Sequence, residues 1–186
     1  MQIAVAITGA SGVIIGFRLL EELASNGHTV FCVITENAKS VIDHEIGPDF
    51  VRPANVTYYE ENDQHAPLNS SSFMLDAMII APCSMKTLAA VAVGYTNNLV
   101  CRAAENVLRT GAKLIIVPRE TPLSAAALKN MLKLRLQGAI IFPPVVAYYH
   151  HPKNITDMTN FIVGKILDLL TIPNNLYLRW GEKIKE

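Results

Sequence analysis

The sequence has few of the features that mark membrane, secreted or nucleic-acid-binding proteins. Its 16 Lys and Arg balance 16 Asp and Glu, so net charge favours neither nucleic acid nor an anionic membrane as a partner. No apolar run approaches the ~18 residues of a membrane span, and no signal-peptide pattern is present. Three cysteines without a CxxC pair and five histidines without metal-ligand spacing argue against a disulfide framework and a zinc site. These absences predict one metal-free domain over residues 1–186 in a reducing cytoplasm.

The sequence does contain a regular alternation of apolar strands and helices. Strands are predicted at residues 3–7, 29–35, 56–59, 77–81, 113–117 and 139–142. Helices are predicted at residues 17–24, 36–46, 88–93, 98–109, 124–137 and 155–170, and residues 171–186 are predicted to form an irregular tail. This alternation predicts an α/β fold of three layers, doubly wound around a mainly parallel sheet.

The first strand leads into a Gly-rich stretch, Thr8–Gly16, ahead of a helix predicted to begin at Phe17. A turn of this kind aims backbone N–H groups and the positive end of a helix at one place, where a phosphate or another anion can bind. The glycines allow the backbone to approach such a ligand closely. The stretch therefore predicts an anion site, although a tight turn that binds nothing has the same pattern.

Polar side chains also follow the carboxyl ends of the other predicted strands. They are Ser11, Thr35, the run 84–87, the pair Arg119 and Glu120, and Tyr149. In doubly wound folds, ligands bind beyond these strand ends. Hydroxyls, an acid beside a cation and a phenol gathered there indicate a ligand-binding protein rather than a structural module.

A nicotinamide dinucleotide is one ligand that such an edge could bind. The turn spacing is G-x-x-G-x-x-x-G rather than G-x-G-x-x-G. Glu36 could accept hydrogen bonds from a ribose, and Tyr149 and Lys153 have the Y-x-x-x-K spacing of short-chain dehydrogenases. Pro152 lies between these two residues and opposes the helical turn that would align their side chains. The pattern therefore gives a dehydrogenase little support.

A mononucleotide such as FMN suits the residues better, because it carries one phosphate. Two neighbouring turns rich in Gly, Ser and Thr can hold that group together with Arg102, although a solvated arginine on a helix is a simpler interpretation of this residue. Arg109, Arg119 and Lys165 lie near predicted strand ends or their helices and could hold a second phosphate. No Asp-rich run is present to place Mg²⁺ on a diphosphate, so such a clamp would rely on Arg and Lys alone.

Six motifs in order resemble the UbiX-type flavin prenyltransferases, which are homo-oligomeric flavin-containing Cys decarboxylase-like flavoproteins. The motifs are T-G-A-S-G at 8–12, P-C-S-M-K-T at 82–87, R-A-A-E at 102–105, V-P-R-E-T-P at 117–122, F-P-P at 142–144 and Y-Y-H-H-P at 148–152. The similarity runs nearly end to end and includes R-W-G-E at 179–182. The resemblance implies a flavodoxin-like Rossmann fold, assembled as a homododecamer with active sites at subunit interfaces.

The resemblance also implies a reaction and a set of site residues. In this family the dimethylallyl group of dimethylallyl phosphate is joined to N5 and then C6 of reduced FMN without a metal, and the prenylated FMN serves a partner decarboxylase of the UbiD type. By position, the FMN-binding residues are Gly9, Ala10, Ser11, Thr35, Ser84, Met85, Lys86, Thr87 and Arg102. The implied catalytic residues are Ser11, Glu45 and Glu120, and the implied substrate-binding residues are Ser70, Arg109, Arg119, Tyr149 and Lys165. Ser11 would lie beside flavin N5, and Glu120 would protonate the departing phosphate.

Three positions depart from the family pattern. Arg109 stands where the family usually has Lys, Lys165 stands where it usually has Arg, and Gln64 lies in a loop where some members have Trp. Charge is kept at the first two positions, but a guanidinium forks and an ammonium does not. The choice between dimethylallyl monophosphate and diphosphate therefore stays open.

Two other functions also stay open at this point. A phosphopantothenoylcysteine decarboxylase-like enzyme would need an early active-site His, for which His44 is the candidate, and a P-x-M-N-x-x-M-type segment, which the sequence lacks. A flavin-binding regulatory module without chemistry would not need an acid such as Glu120 beside the cation of Arg119.

Overall fold

The computed structural model describes residues 1–182, and residues 183–186 at the end of the predicted tail lie outside the described residues. The strands are β1 (Gln2–Ile7), β2 (Thr29–Ile34), β3 (Val56–Glu60), β4 (Ala77–Cys83), β5 (Lys113–Pro118) and β6 (Ile140–Ile141). The helices are α1 (Val13–Ser25), α2 (Glu36–Glu45), α3 (Met85–Ala92), α4 (Leu99–Thr110), α5 (Ala125–Leu136) and α6 (Ile155–Leu169), with a short 3₁₀ helix at Pro67–Asn69. The chain forms two compact units, Met1–Pro143 and the segment from Pro144 onward. The expectation of one domain over residues 1–186 stays a prediction.

The first unit is built on one sheet with the strand order β3-β2-β1-β4-β5-β6. All neighbouring strands are parallel, and Val5 in β1 is in register with Cys32 in β2 and Ile79 in β4. The strand order reverses direction between β1 and β4, which is the point where doubly wound sheets bind ligands. The predicted doubly wound, parallel α/β fold is confirmed.

Helices cover both faces of this sheet. α1 contacts β1, β2 and β4 on one face. On the other face Ala4 and Ala6 of β1 share a core with Leu88 of α3, Val107 of α4 and Leu134 of α5. In β1, β4 and β5 every residue after the first is buried, as expected for strands that are covered on both faces.

Gly16 lets α1 lie unusually close to the sheet. A Cβ atom at this position would be 2.4 Å from the backbone oxygen of Ala81 and 2.8 Å from Cγ1 of Ile7. The expectation that the Gly-rich turn extends to Gly16 was wrong, because α1 begins at Val13. This glycine therefore serves helix–strand packing rather than the approach of a ligand.

Replacing Gly16 by Ala is expected to destabilise the fold by about 1–3 kcal/mol, because the new methyl group overlaps the backbone of β4. Urea unfolding of the variant and the wild type measures the difference. Glu21→Ala, on the exposed side of the same helix, removes only a surface ion pair with Arg18 and is expected to cost less than about 1 kcal/mol. Equal stability of the Gly16→Ala protein and the wild type would contradict the close contact.

Two predicted element boundaries were wrong for local reasons. α3 begins at Met85 rather than Leu88, because Ser84 caps the helix directly after β4. The strand predicted over 139–142 is reduced to Ile140–Ile141, which is half-buried at the edge of the sheet. The Phe142 N–H still bonds to the Ile116 carbonyl oxygen, but the prolines that follow have no N–H to continue the ladder.

The second unit carries α6 and the described part of the tail. Residues 171–182 form turns and bends, with neither a helix nor a strand in that range. The carboxylate of Asp168, near the end of α6, accepts hydrogen bonds from the Arg179 guanidinium at 2.8 and 2.9 Å and from Asn174 Nδ2 at 3.0 Å. The Tyr177 hydroxyl donates a further bond to the same carboxylate at 2.5 Å. We name these four residues the tail clamp. The guanidinium is the main reason why the pKa of Asp168 is lowered from 3.8 to about 2.

The tail clamp predicts a specific loss of stability in acid. Because the pKa of Asp168 is lower in the folded protein, the ionised carboxylate stabilises the fold above its unfolded pKa, and this contribution is lost as pH falls from about 4 to about 2. The melting temperatures of the wild type and Asp168→Asn are therefore expected to differ most above about pH 5 and to converge toward about pH 2. A difference that stays constant across this pH range would contradict the low pKa.

Candidate functional site

The carboxyl ends of β1 and β4 are tied together by Thr8, which is only 1% exposed. Its backbone N–H and its hydroxyl both donate to the Pro82 carbonyl oxygen, at 3.2 and 2.8 Å, and its hydroxyl oxygen accepts from the Ser84 N–H at 2.8 Å. The turns that follow the two strands are thereby held side by side at the switch point of the sheet. Sequence analysis placed Thr8 in the Gly-rich stretch but gave it no role of its own, because nothing local indicates its bonds to residues 82 and 84.

Two of the predicted hydroxyl residues are helix caps. The Thr35 hydroxyl accepts from the Ala38 N–H at 3.3 Å and begins α2, and the Ser84 hydroxyl accepts from the Thr87 N–H at 3.3 Å and begins α3. Ser84 Oγ also donates to Thr87 Oγ1 at 3.1 Å. These caps direct the positive ends of α2 and α3 toward the carboxyl edge of the sheet.

Between these helix ends lies a small polar cavity of about 20 Å³. It is lined by Gly9, Thr35, Asn37, Glu61, Ser84, Lys86, Thr87 and Asn98. The structure thus brings together five of the residues predicted to bind FMN. Within the described chain the Lys86 ammonium forms no ion pair, and the Met85 and Lys86 N–H groups at the start of α3 have no acceptor, whereas the Thr87 N–H is capped by Ser84. An ammonium, hydroxyls and free N–H groups are the donor set that a phosphate ester requires, so these residues fit FMN.

The N-terminus of α1 is different, because the protein supplies its own anion there. The Glu45 carboxylate accepts from the Gly12 N–H at 2.9 Å and from the Val13 N–H at 3.2 Å. The expectation that the N–H groups of the Gly-rich turn are free for a phosphate was therefore wrong for Gly12 and Val13. Ser11 is exposed on the same turn, whereas the neighbouring Ala10 is buried. Because Glu45 bonds to the residue that follows Ser11, Ser11 and the Glu45 carboxylate lie at the same end of α1.

Glu61 is a site residue that sequence analysis missed. Its carboxylate accepts from the Glu36 N–H at 2.8 Å and from Asn98 Nδ2 at 2.7 Å, which joins the starts of α2 and α4. Glu61 follows the partly exposed strand β3 and lies in an irregular loop, so no periodicity or spacing indicates its role. The Glu36 carboxylate, considered above as a ribose acceptor, instead pairs with the Lys39 ammonium at 2.7 Å.

A larger cavity of about 320 Å³ opens beside the small one and includes Gln64, Asn69 and Arg102 in its lining. Arg102 Nε donates to the Asn69 carbonyl oxygen at 3.3 Å, which holds the guanidinium at the cavity while the side chain stays exposed. Ser70 follows in the chain, and its hydroxyl shares a 2.7 Å hydrogen bond with that of Ser72. Arg102 is thus placed beside the predicted phosphate-binding residues, and Gln64 lines the same space.

Arg119 and Glu120 leave the carboxyl end of β5. The Arg119 N–H bonds to the Cys83 carbonyl oxygen at 3.1 Å, which keeps the segment beside the turn after β4. No ion pair joins the two side chains in the described chain, so Glu120 is not simply neutralised by its neighbour. Glu120 lines a cavity of about 360 Å³ whose other walls include Met85, Leu88 and Pro122. A carboxyl group at a mainly apolar cavity is suitably placed to act as an acid on a substrate with an apolar chain.

Arg109 does not share this edge within the chain. It lies in the last turn of α4, seven positions and about 10 Å along the helix from Arg102. Its guanidinium donates to the Ser71 hydroxyl at 3.2 Å, and the amino end of β5 follows directly. The expectation that Arg109 binds substrate stays a prediction.

Tyr149 and Lys165 belong to the second unit. The Tyr149 ring packs edge-to-face against Phe161 and Trp180, with centroid distances of 5.8 and 5.4 Å. Tyr149 precedes α6, which starts at Ile155, so Tyr149 and Lys153 do not share a helical turn as they would in a short-chain dehydrogenase. Lys165 is half-buried on α6.

Residues 1–182 contain neither a cluster of metal ligands nor a helix suited to span a membrane. In that range no three His, Cys, Asp or Glu side chains gather as metal ligands would. In the same range none of the helices has both the length and the apolar character of a membrane span.

The chain is similar to known flavoproteins over nearly its whole length. A family model described as Flavoprotein matches residues 1–167. Flavin prenyltransferase UbiX of Methanocaldococcus jannaschii is 47% identical over 97% of this chain and 99% of its own. A dodecameric FMN-dependent UbiX-like decarboxylase from Escherichia coli O157:H7 has a TM-score of 0.92 at 39% identity, covering 98% of this chain and all of that one. AnUbiX in complex with FMN and dimethylallyl pyrophosphate has a TM-score of 0.92 at 38% identity, covering 98% of both chains.

Proposed function

Because the chain belongs to the UbiX flavin prenyltransferases, within the Flavoprotein family, we propose that it transfers the dimethylallyl group of dimethylallyl phosphate to reduced FMN. The observation that carries this proposal is the polar cavity where Gly9, Thr35, Ser84, Lys86 and Thr87 converge at the switch point of the sheet. It supplies the donors for one phosphate, as FMN requires and a dinucleotide does not.

The residues of the first unit divide into two groups around the flavin. Lys86, Thr87 and the N-terminus of α3 bind the FMN phosphate, and Gly9, Ala10, Ser11, Thr35, Ser84, Met85 and Arg102 complete the flavin site. When bound, reduced FMN supplies two nucleophilic positions, N5 and C6. Ser11 Oγ would hold a proton beside N5, and Glu45 would act at the same end of α1, where its carboxylate accepts from the Gly12 N–H.

A second set of residues acts on the dimethylallyl phosphate. Arg119 binds the phosphate and stabilises the negative charge that grows on it as the carbon–oxygen bond breaks. The Glu120 carboxyl group donates a proton to the departing phosphate and then accepts a proton released when the second carbon bond forms. Ser70, Arg109, Tyr149 and Lys165 complete the set that binds substrate. No oxidant is consumed, since the products are prenylated flavin and inorganic phosphate.

Membership of this family also supports proposals for the assembly, the compartment, the substrate and the product. We propose a homododecamer, by analogy with the dodecameric relative, and the cytoplasm as the compartment. Dimethylallyl monophosphate is the proposed substrate, and the diphosphate is the alternative because AnUbiX was solved with it. The product is the cofactor of a UbiD-type decarboxylase.

Release of inorganic phosphate tests whether the flavin is the acceptor. Under anaerobic conditions, the protein is incubated with dimethylallyl phosphate and reduced FMN, oxidised FMN or no flavin. Phosphate is expected only with reduced FMN, and in amounts that do not exceed the flavin. Release that is independent of flavin would indicate hydrolysis and would overturn the proposed transfer.

A further inference from the structure

We propose that Phe50 is a positioning residue for prenyl transfer, which keeps the Glu45 carboxylate at the N-terminus of α1 by packing against Phe17. This proposal rests on the proposed function, in which Glu45 acts with Ser11 at that end of α1. It gives a role to the loop between α2 and β3, to which neither the sequence motifs nor the cavities assign one.

Glu45 lies where the ends of two helices meet. It is the last residue of α2, and its carboxylate accepts from the Gly12 and Val13 N–H groups at the start of α1, at 2.9 and 3.2 Å. A carboxylate is destabilised at the negative C-terminal end of its own helix and stabilised at the positive N-terminal end of another. The orientation of the Glu45 side chain therefore depends on how close the end of α2 lies to the start of α1.

A pair of aromatic rings joins the same two segments. Phe17 lies one helical turn after Val13 on α1 and is only 1% exposed. The Phe50 ring, five residues after Glu45, lies 4.5 Å from the Phe17 ring between centroids, and the two planes are tilted by 54°. Rings at this separation attract each other beyond the burial of their surface. The segment around the end of α2 is thus attached to α1 at two points that are one turn apart.

The connection between Glu45 and Phe50 is a turn held by hydrogen bonds. The Ile46 and Gly47 N–H groups both bond to the Ile42 carbonyl oxygen, at 2.9 and 3.2 Å, and close the end of α2. Gly47 has a φ of +105°, a conformation that favours glycine and reverses the chain after the helix. The Phe50 N–H then bonds to the Gly47 carbonyl oxygen at 3.4 Å. Because these bonds make the connection stiff, a displaced Phe50 ring is expected to displace the end of α2.

The effect of losing this contact is expected in the chemical step rather than in binding. Phe50 is not among the residues proposed to bind FMN or dimethylallyl phosphate, whereas Glu45 is assigned to the reaction. An interaction made only in the transition state lowers kcat and kcat/KM equally and leaves KM unchanged. With FMN-loaded full-length protein, Phe50→Ala is expected to slow prenyl transfer about fivefold to thirtyfold, which is part of the ~100-fold or more that a positioned proton-transfer group contributes.

A conservative variant and a neighbouring residue provide the controls. Phe50→Leu keeps an apolar side chain against Phe17 and is expected to stay within about twofold of the wild-type rate. Val51, the next residue, is 85% exposed, so Val51→Ala is expected to leave the rate unchanged. A loss in Val51→Ala as large as that in Phe50→Ala would contradict a specific role for the ring, as would an unchanged rate in Phe50→Ala itself.

A double-mutant cycle shows whether Phe50 acts through Glu45. In a Glu45→Gln background the proton-transfer group is gone, so adding Phe50→Ala is expected to slow single-turnover prenyl transfer no further. Multiplied losses of rate would show that Phe50 acts independently of Glu45 and would overturn the proposal. Phe50→Val keeps part of the apolar surface without the ring and extends the cycle if the alanine protein folds poorly, and a wild-type rate in this variant would also overturn the proposal.

Amide exchange provides a measurement that does not depend on turnover. The Gly12 and Val13 N–H groups have no acceptor within α1, so the Glu45 carboxylate protects them from exchange. In the FMN-loaded protein, hydrogen–deuterium exchange of a peptide covering residues 8–16 is expected to be about threefold to tenfold faster in Phe50→Ala and unchanged in Val51→Ala.

The two measurements separate this proposal from the proposed function. A wild type that transfers no prenyl group would overturn the proposed function. An active wild type with unchanged exchange at residues 8–16 and an unchanged rate in Phe50→Ala would overturn the role of Phe50 alone.

Discussion

Replacing Glu120 by Gln is expected to slow prenyl transfer by about two to four orders of magnitude while FMN still binds. The amide has nearly the shape of the carboxyl group but can neither protonate the departing phosphate nor accept a proton afterwards. Glu120 Oε1 accepts from the Thr121 N–H at 3.0 Å, which leaves Oε2 for the substrate; no ion pair joins Glu120 to Arg119, and its cavity is walled mainly by apolar side chains such as Leu88. Single-turnover rates under anaerobic conditions measure the effect, and a flavin titration measures binding.

Glu60 offers a matched control for this change. It is an exposed carboxylate at the end of β3, at the same edge of the sheet, where it pairs with the Lys39 ammonium at 2.7 Å. Glu60→Gln is expected to transfer the prenyl group at nearly the wild-type rate. Full activity of Glu120→Gln would remove Glu120 as the acid, and loss of FMN binding in the same variant would show that the residue belongs to the flavin site instead.

Replacing Arg119 by Ala is expected to lower kcat/KM for dimethylallyl phosphate by about two to three orders of magnitude and to leave the dissociation constant of FMN within about twofold. In the proposed function its guanidinium, which directly follows β5, binds the leaving phosphate and stabilises the negative charge that grows there. Lys at this position keeps the charge but loses the forked geometry, so Arg119→Lys is expected to restore only part of the activity.

Arg102, on α4, is expected to show the opposite pattern of losses to Arg119. Because its guanidinium lies at the cavity beside the residues proposed to bind FMN, Arg102→Ala is expected to weaken FMN binding more than it weakens the use of dimethylallyl phosphate at saturating FMN. Two arginines that differ in this way would separate the flavin site from the substrate site. Equal losses of flavin and substrate binding in Arg119→Ala would contradict its assignment.

Local sequence signals predicted the sheet well. The strands are apolar runs bounded by Gly, Pro and hydroxyl residues. Such runs are typical of strands that helices cover on both faces, and β1, β4 and β5 are buried along most of their length. The errors lay at boundaries, as at Met85, where the Ser84 cap begins α3 three residues earlier than predicted. The edge strand β6 was overestimated because an apolar run does not show that its strand lies half-buried at the edge of the sheet, where it pairs with one neighbour.

Sequence analysis identified individual residues of the candidate site but not the hydrogen bonds that join them. Ser84 and Thr35 were identified because they stand directly after strands, where side chains meet at one edge. Glu45 capping Gly12 was not predicted, because the two residues are 33 positions apart and no local pattern joins them. Glu61 was missed and the role of Thr8 was not specified for the same reason, since both act through hydrogen bonds between segments that are distant in the chain.

The mass of the flavin recovered after the reaction tests the proposed activity most directly. The protein is incubated anaerobically with reduced FMN and dimethylallyl phosphate, and the flavin is then extracted for mass spectrometry. The FMN mass is expected to rise by one isoprene unit in the wild type and to change far more slowly in Glu120→Gln. An FMN mass that stays unchanged with dimethylallyl monophosphate and also with the diphosphate would contradict prenyl transfer by this protein.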